Sequence, residues 1–228
     1  MFNSPIFICF VGIDGSGKSS QAQLLQKDLM TYGINVIYTW SRWKPFFLKP
    51  LKRIFKGSRG TKKNTVSDDS ILRHKKRSFL SYPLILRLWL NLALFEYYWQ
   101  VRWKVIHYLN GNNIVICDRY LYDFIIDQAV NMGKKTKGID YIFGCFLTRL
   151  FPLPNLLFIL DVNPEIGWRR KQDGTSIEYL MERRELYYSL KTLPFATIID
   201  ANKPLETVSF QIKEHVKLFL KNHRIINE

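Results

Sequence analysis

Two short segments of the chain contain residues whose types and spacing could bind phosphate. The first is Gly12-Ile-Asp-Gly-Ser-Gly-Lys-Ser19, which matches the pattern of glycine, any four residues, glycine, lysine and serine or threonine. Such glycines let backbone N–H groups curl around phosphate oxygens at the start of a helix, where the first amides lack partners. Lys18 would add a positive charge for the β and γ phosphates, and the Ser19 hydroxyl suits the coordination sphere of Mg²⁺.

The second segment is Val115-Ile-Cys-Asp-Arg-Tyr120, an apolar run that ends in charged residues. In open α/β sheets, ligands bind at the carboxyl ends of the strands. Asp118 could hold the water shell of a metal there, while the guanidinium of Arg119 could fork onto a phosphate. Taken alone, an Asp-Arg pair at a strand end is a surface ion pair about as often as it is part of a binding site. The glycine-rich motif on the same sheet favours the functional interpretation.

Short apolar runs alternate with helical patterns along the chain. This alternation predicts an α/β layer fold built on a parallel sheet. The runs that predict strands are 6–11, 35–40, 114–117, 156–160 and 196–199. Helical spacing follows the glycine-rich motif, marks a long helix through Leu84 and Trp99, and recurs around 121–132, 140–150, 164–172, 177–191 and 205–221. Six aromatic residues surround the long helix, which indicates a helix buried on both sides or a dimer face: Trp89, Phe95, Tyr97, Tyr98, Trp99 and Trp103.

The charge of the chain is concentrated in one segment. The 228 residues include 34 Lys and Arg against 19 Asp and Glu, a net charge of +15. Residues 42–77 hold thirteen of the bases and two of the acids, so this segment is predicted to be a basic insertion between the second strand and the long helix. A solvated insertion is the first expectation, contact with an anionic membrane surface the second, and nucleic acid binding the least expected.

Apolar runs, the first residues of the chain and the spacing of cysteines and histidines bear on its cellular location and on metal binding. The chain has no apolar run of the ~18 residues that span a bilayer, and its start lacks the charged residues of a secretory signal. We therefore expect a cytoplasmic protein. Its three cysteines and four histidines show no ligand spacing, so we expect no metal beyond Mg²⁺.

Together, the two motifs and Gln128, ten residues after Asp118, resemble the thymidylate kinase family. Leu160-Asp-Val-Asn-Pro-Glu165 with the arginines that follow is similar to the family's fourth strand and its lid, which would lie at about 169–178. Ile198-Ile-Asp-Ala201 is similar to the last strand and the loop that touches adenine. The resemblance runs from about residue 6 to 221. It implies a single three-layer P-loop kinase domain over 1–228, a five-stranded parallel sheet flanked by helices, ATP and Mg²⁺, and often a homodimer.

The resemblance also implies roles for individual residues. It assigns ATP binding to Gly12, Asp14, Gly15, Ser16, Gly17, Lys18, Ser19, Ser20 and Ala201. It assigns the metal to Ser19 and Asp118. It places Asp14 on the acceptor's sugar hydroxyl and Arg119 on its phosphate. The residues expected around the acceptor, three of which depart from the family pattern (Tyr97, Tyr98 and Asp123), are Asp14, Arg42, Tyr97, Tyr98, Arg119, Tyr120, Asp123 and Gln128. Catalytic roles fall to Lys18, Asp118, Arg119, Arg169 and Arg170.

The chain departs from the family pattern around the transferred group and the acceptor. Ser16 stands where some members have an arginine, so the lid would have to supply that charge through Arg169, Arg170 or Lys171. Arg42 is one residue off the usual spacing to the following proline. Tyr97 or Tyr98 falls where the family has an arginine.

Asp123 and Phe124 replace a pair of small residues. Because a carboxylate would repel an acceptor phosphate, either the acceptor differs from dTMP or Asp123 points away from it. The leading hypothesis is ATP-dependent phosphoryl transfer to a nucleoside monophosphate similar to dTMP. One alternative is a kinase for another small acceptor, such as a nucleoside or a sugar-linked metabolite. The other is a nucleotide-binding module docked to a membrane through residues 42–77.

Overall fold

A computed structural model describes residues 5–49, 82–133, 135–171 and 174–223. Its centre is a five-stranded sheet of order β2-β3-β1-β4-β5, in which every neighbouring pair is parallel. The strands are β1 (Ile6–Val11), β2 (Val36–Trp40), β3 (Ile114–Asp118), β4 (Leu156–Asp161) and β5 (Ala196–Asp200). All five lie within one residue of the predicted runs. The predicted α/β fold is confirmed.

Seven α-helices lie within the described residues. They are α1 (Lys18–Thr31), α2 (Pro83–Lys104), α3 (Leu121–Met132), α4 (Lys135–Phe143), α5 (Pro164–Arg170), α6 (Ile177–Ser189) and α7 (Leu205–Asn222). Short 3₁₀ turns cover Ile106–Asn110, Phe146–Leu150 and Leu190–Thr192. β1 and β3 are buried along their whole length, as expected for parallel strands covered on both faces.

The helix predicted over 140–150 is wrong in its bounds. The structure has α4, which ends at Phe143, and a separate 3₁₀ turn over Phe146–Leu150. Cys145 between them has an extended backbone (φ −68°, ψ 132°). The hydroxyl of Thr148 donates to the carbonyl oxygens of Phe143 (3.0 Å) and Cys145 (2.6 Å). These bonds satisfy carbonyls that a continuous helix would have used.

Helix α2 has one buried face and one exposed apolar face. The buried face consists of Leu86, Leu90, Ala93, Leu94, Glu96, Tyr97 and Val101. The exposed face consists of Leu84, Leu88, Leu92, Phe95, Trp99 and Trp103, each at least 40% exposed. The expectation of a helix buried on both sides is therefore wrong, and the dimer-face alternative stays open. The exposed residues recur every three or four positions and form one stripe.

The start of the predicted basic insertion is anchored on α2. The carboxylate of Glu96 accepts from the backbone N–H groups of Phe46 and Phe47, the second at 2.7 Å. The Gln100 amide bonds both backbone groups of Lys44. The rest of the insertion, residues 50–77, lies outside the described residues. In the parts of the chain that the structure describes, no helix is both long and apolar enough to cross a bilayer.

Candidate active site

The glycine-rich loop leads from β1 into α1 and closes tightly. Gly12, Gly15 and Gly17 have positive φ angles of 144°, 80° and 87°. A Cβ on Gly12 would lie 2.5 Å from the carbonyl oxygen of Leu160, and one on Gly15 would lie 2.1 Å from that of Gly167. Only glycine fits at these two positions, because both the backbone angle and the space exclude a side chain. The Gly15 contact also places α5, the helix that leads into the predicted lid, against the loop.

Lys18 is buried under this loop. Its ammonium group donates to the carbonyl oxygen of Ile13 (2.6 Å) and to the hydroxyl of Ser16 (3.1 Å). Burial lowers the pKa of Lys18 to about 7, and the charge of Arg119 lowers it further against the opposing effect of nearby carboxylates. Ser16 therefore supports Lys18 inside the loop.

Ser19, Asp118 and Tyr38 meet at the carboxyl ends of β2 and β3. The hydroxyl of Ser19 donates to Asp118 Oδ2 at 2.5 Å, and the phenol of Tyr38 donates to the same oxygen at 3.2 Å. Burial and the Asp118 charge raise the pKa of Tyr38 to about 12. Asp118 Oδ1 is buried and has no hydrogen-bond partner among the described residues. Sequence reasoning missed Tyr38, because it lies inside an apolar strand.

Arg119 has an unusual backbone and a fixed side chain. Its φ is +69°, a left-handed conformation that non-glycine residues rarely adopt, and its N–H donates to the carbonyl oxygen of Phe10 at 3.0 Å. The guanidinium pairs with Asp14 and, at 3.1 Å, with Asp123. Burial would raise the pKa of Asp14, but Arg119 and Lys18 hold it well below its usual range.

Asp123 faces Arg119 and is 1% exposed. One oxygen accepts from Arg119 and from the phenol of Tyr187 (2.6 Å), and the other accepts from the backbone N–H of Tyr120 (3.3 Å). Both carboxylate oxygens are thus engaged by the protein. Asp123 partners the predicted phosphate-binding arginine, and it is not a free negative charge in the acceptor site.

The predicted lid contributes two cations, each of which contacts a different loop. The ammonium group of Lys171 lies 3.2 Å from Asp14 Oδ1, and Arg170 donates to the carbonyl oxygen of Ala201 at 3.2 Å. Arg169 is exposed. Lys171 is therefore the lid cation in contact with the phosphate-binding loop, and Arg170 contacts the loop predicted to touch adenine.

Arg42 lies 3.8 Å from Asp127, which also pairs with Arg183. Arg183 is fully buried and donates to the phenols of Tyr179 (3.0 Å) and Tyr187 (2.8 Å). Sequence reasoning missed Arg183 and Tyr187 as parts of the site. The alternating charges of α6 gave no signal, since a charged helix usually faces solvent.

Four residues predicted to bind the acceptor have partners in the core. Tyr97 is fully buried and donates to the carbonyl oxygen of Ser41, next to Arg42, and Tyr98 packs on Phe151. Tyr120 donates to the carbonyl oxygen of Pro152, and Gln128 accepts from Trp89. Each of these four side chains thus contacts another part of the protein, and acceptor binding by them stays a prediction.

Ser20, predicted to bind ATP, is exposed in the first turn of α1.

A phosphate-binding loop on the central strand, with an Asp-Arg pair on the strand beside it, defines the class of P-loop kinases. These enzymes are phosphotransferases. The thymidylate kinase family model matches residues 56–212, more than half of the chain. The protein belongs to the thymidylate kinase family, and it is therefore a nucleoside monophosphate kinase that uses ATP.

Relatives in bacteria agree with this assignment. The thymidylate kinase of Leptospira interrogans is 28% identical over 96% of this chain and 95% of its own length. The thymidylate kinase of Mycoplasmoides gallisepticum is 28% identical over 96% of this chain and 98% of its own length. The crystal structure of thymidylate kinase from Ehrlichia chaffeensis matches with a TM-score of 0.50 at 20% identity, covering 93% of this chain and 99% of its own. At that identity the structural match supports the fold alone.

Proposed function

We propose that this protein transfers the γ-phosphoryl group of ATP to dTMP and releases ADP and dTDP. The observation that carries the proposal is the Arg119 guanidinium, which is buried and fixed by Asp14 and Asp123 beside the P-loop. An arginine in this place suits the phosphate of a monophosphate acceptor. The relatives named thymidylate kinases, which align over nearly the whole chain, favour dTMP as that acceptor.

The P-loop and the lid would hold the donor. The amides at the start of α1 and the ammonium group of Lys18 bind the donor phosphates, which replace the Ile13 carbonyl as partner of the ammonium group. Lys171 and Arg170 approach from the lid side. Because Ser16 supplies no charge, these lid cations balance the charge that develops on the transferred group.

Arg119 and Arg42 would hold the acceptor. Arg119 anchors the phosphate, and Asp14, which touches Arg119, orients the sugar hydroxyl as the family resemblance implies. Arg42 is more exposed than Arg119, so it contacts the acceptor from the open side of the site. Catalysis of this kind depends on positioning and charge stabilisation rather than on covalent chemistry by the protein.

Ser19 and Asp118 would hold Mg²⁺. The hydroxyl and carboxylate oxygens are hard ligands that suit this ion, and Asp118 Oδ1 is a buried acceptor without a partner among the described residues. When bound, Mg²⁺ neutralises charge on the donor phosphates. Tyr38 holds the same carboxylate in place.

An acceptor panel tests the substrate assignment. The purified protein is incubated with radiolabelled ATP and, separately, dTMP, thymidine, other nucleoside monophosphates and sugar phosphates. We expect dTMP to be the preferred acceptor and Lys18→Ala to lose turnover with every acceptor. Preference for a nucleoside or a sugar-linked acceptor would replace dTMP in the assignment and leave the kinase class intact.

We also propose that the protein forms a homodimer through the exposed stripe of α2. The stripe runs along a helix about 33 Å long and presents two leucines, Trp99 and Trp103 at 53% exposure or more. Exposed apolar surfaces of this extent are typical of interfaces. A second copy of α2 presents the same apolar stripe, as a twofold interface requires.

The family assignment favours neither of the two alternative functions. Contact of residues 42–77 with a membrane stays a prediction, and residues 50–77 lie outside the described residues. The cytoplasmic location also stays a prediction, as do the single-domain assignment and the bounds of the lid.

A further inference from the structure

Helix α6 contacts both of the predicted acceptor arginines through aspartates of α3. Arg183 of α6 pairs with Asp127, which lies 3.8 Å from Arg42. Tyr187, one turn later on α6, donates to Asp123 at 2.6 Å, and Asp123 pairs with Arg119 at 3.1 Å. The two branches join where Arg183 donates to the Tyr187 phenol at 2.8 Å.

These contacts are shielded from water where they meet. Arg183 is 0% exposed, Tyr187 2% and Asp123 1%. Hydrogen bonds to charged groups are strongest in such surroundings, because the local dielectric constant is low. Burial raises the pKa of Tyr187, so its phenol stays protonated and donates.

Stability alone does not require this arrangement. A buried arginine costs desolvation free energy, and apolar residues of similar volume often replace buried ion pairs without loss of stability. In addition, Arg183 Nε is buried and has no hydrogen-bond partner in the described parts of the chain. The buried Arg183 does, however, hold Asp127 by an ion pair, and it bonds the phenol of Tyr187 that donates to Asp123.

We propose that Tyr187 and Arg183 are positioning residues of the acceptor site, which fix the Arg119 and Arg42 side chains through Asp123 and Asp127. The inference rests on the proposed function and deepens it. Neither side chain touches the substrates. Both reduce the number of orientations of the acceptor arginines, so their loss weakens acceptor binding more than ATP binding. Since α6 follows the lid directly, the same contacts join the lid to the acceptor site.

The test compares Tyr187→Phe with Tyr188→Phe. The first variant removes the phenol that bonds Asp123 and keeps the buried ring. The second makes the same change at the next residue, which is 46% exposed and does not contact Asp123. We expect Tyr187→Phe to raise the KM for dTMP about tenfold and to leave the KM for ATP within about twofold. Tyr188→Phe should match the wild type in both constants.

A conservative change at Arg183 provides the second measurement. Arg183→Lys keeps the charge and part of the hydrogen bonding, and Arg183→Met removes both. We expect the KM for dTMP to rise in the order wild type, lysine, methionine, with thermal unfolding recorded for each variant. In the double variant Asp123→Asn/Tyr187→Phe, the KM for dTMP should rise by less than the product of the fold-increases of the two single variants.

Two results would contradict the inference in different ways. If Tyr187→Phe and Arg183→Lys lower only the unfolding temperature and leave the KM for dTMP unchanged, the residues are structural and the positioning role is wrong. If the wild-type protein does not phosphorylate dTMP, the proposed function falls, and the inference falls with it.

Discussion

Arg119 has a backbone conformation that is usually occupied by glycine. This position, with φ +69°, directly follows the β3 carboxylate Asp118. Strain of this kind costs on the order of 1–3 kcal/mol and persists where the surrounding structure imposes it. Here the bond from the Arg119 N–H to Phe10 and the ion pairs of the guanidinium impose it.

Two substitutions at Arg119 separate this strain from the function of the side chain. Arg119→Ala and Arg119→Gly both remove the guanidinium, so both should lose turnover of dTMP. Only glycine relieves the backbone, so we expect the glycine variant to have the larger free energy of unfolding, by about 1 kcal/mol. Chemical denaturation measures the difference. An alanine variant as stable as the glycine variant would show that the position is not strained.

Lys18 predicts a pH dependence of ATP binding. The pKa of Lys18 is about 7 in the protein without nucleotide, so at pH 8 most of the molecules carry Lys18 as a neutral amine. Donor phosphates favour the charged form, so ATP binding should take up close to one proton at pH 8, and ATP affinity should fall as the pH rises above 7. The phosphates contribute little there, since their own pKa is about 6.

Calorimetry in buffers of different ionisation enthalpy measures this proton uptake, with Lys18→Met as the control that should show none. Binding of ATP to the wild type without proton uptake would show that Lys18 is already charged before ATP binds. The same shift has a consequence without ATP. The unfolded chain holds the Lys18 proton up to about pH 10.5, so this group makes the folded state more stable as the pH rises from 7 toward 10.5.

The placement of single residues in the site could be predicted from the sequence only where a local motif fixes it, and their roles stay predictions. Lys18, Ser19, Asp118 and Arg119 lie in motifs whose spacing specifies a loop or a strand end, and the structure brings them together. Tyr187 could not be found in this way. Its partner Asp123 lies 64 residues earlier, and only tertiary packing joins them.

At the scale of elements, α2 carries the prediction about assembly. Phe95→Glu places a charge in the middle of the exposed stripe, and Phe210→Glu makes the same change on α7 at a similar exposure. We expect the wild type and Phe210→Glu to be dimers and Phe95→Glu to be a monomer, because a buried unpaired charge is costly. Light scattering after gel filtration measures the masses.

If Phe95→Glu stays a dimer, α2 does not form the interface. A monomeric wild type would contradict the homodimer itself.

The elements show why some of the fold could be predicted and some could not. Buried parallel strands read as continuous apolar runs, so all five strands were found within a residue. The break after α4 was not found, because no proline marks it and Thr148 side-chain bonds make it. For α2, the sequence left open whether the helix is buried on both sides or has a dimer face. Its apolar residues lie on both faces of the helix, and the pattern cannot distinguish core from interface.

At the scale of the whole molecule, the net charge of +15 has two parts. One part consists of the cations that the proposed function assigns to the anionic substrates: Lys18, Arg119, Arg42 and Lys171. Most of the excess lies in residues 42–77, whose described start packs on the fold: Lys44 lies 4.6 Å from the centre of the Trp40 ring. Of these four cations, Arg42 lies in residues 42–77 and the other three lie elsewhere in the chain.

Phosphorus NMR of ATP and dTMP with the wild-type protein and Mg²⁺ tests the proposed phosphoryl transfer most directly. We expect ADP and dTDP to appear in equal amounts as both substrates disappear, and Lys18→Ala to form neither. Hydrolysis of ATP with dTMP left unchanged, or dTDP formed by Lys18→Ala at the wild-type rate, would contradict it.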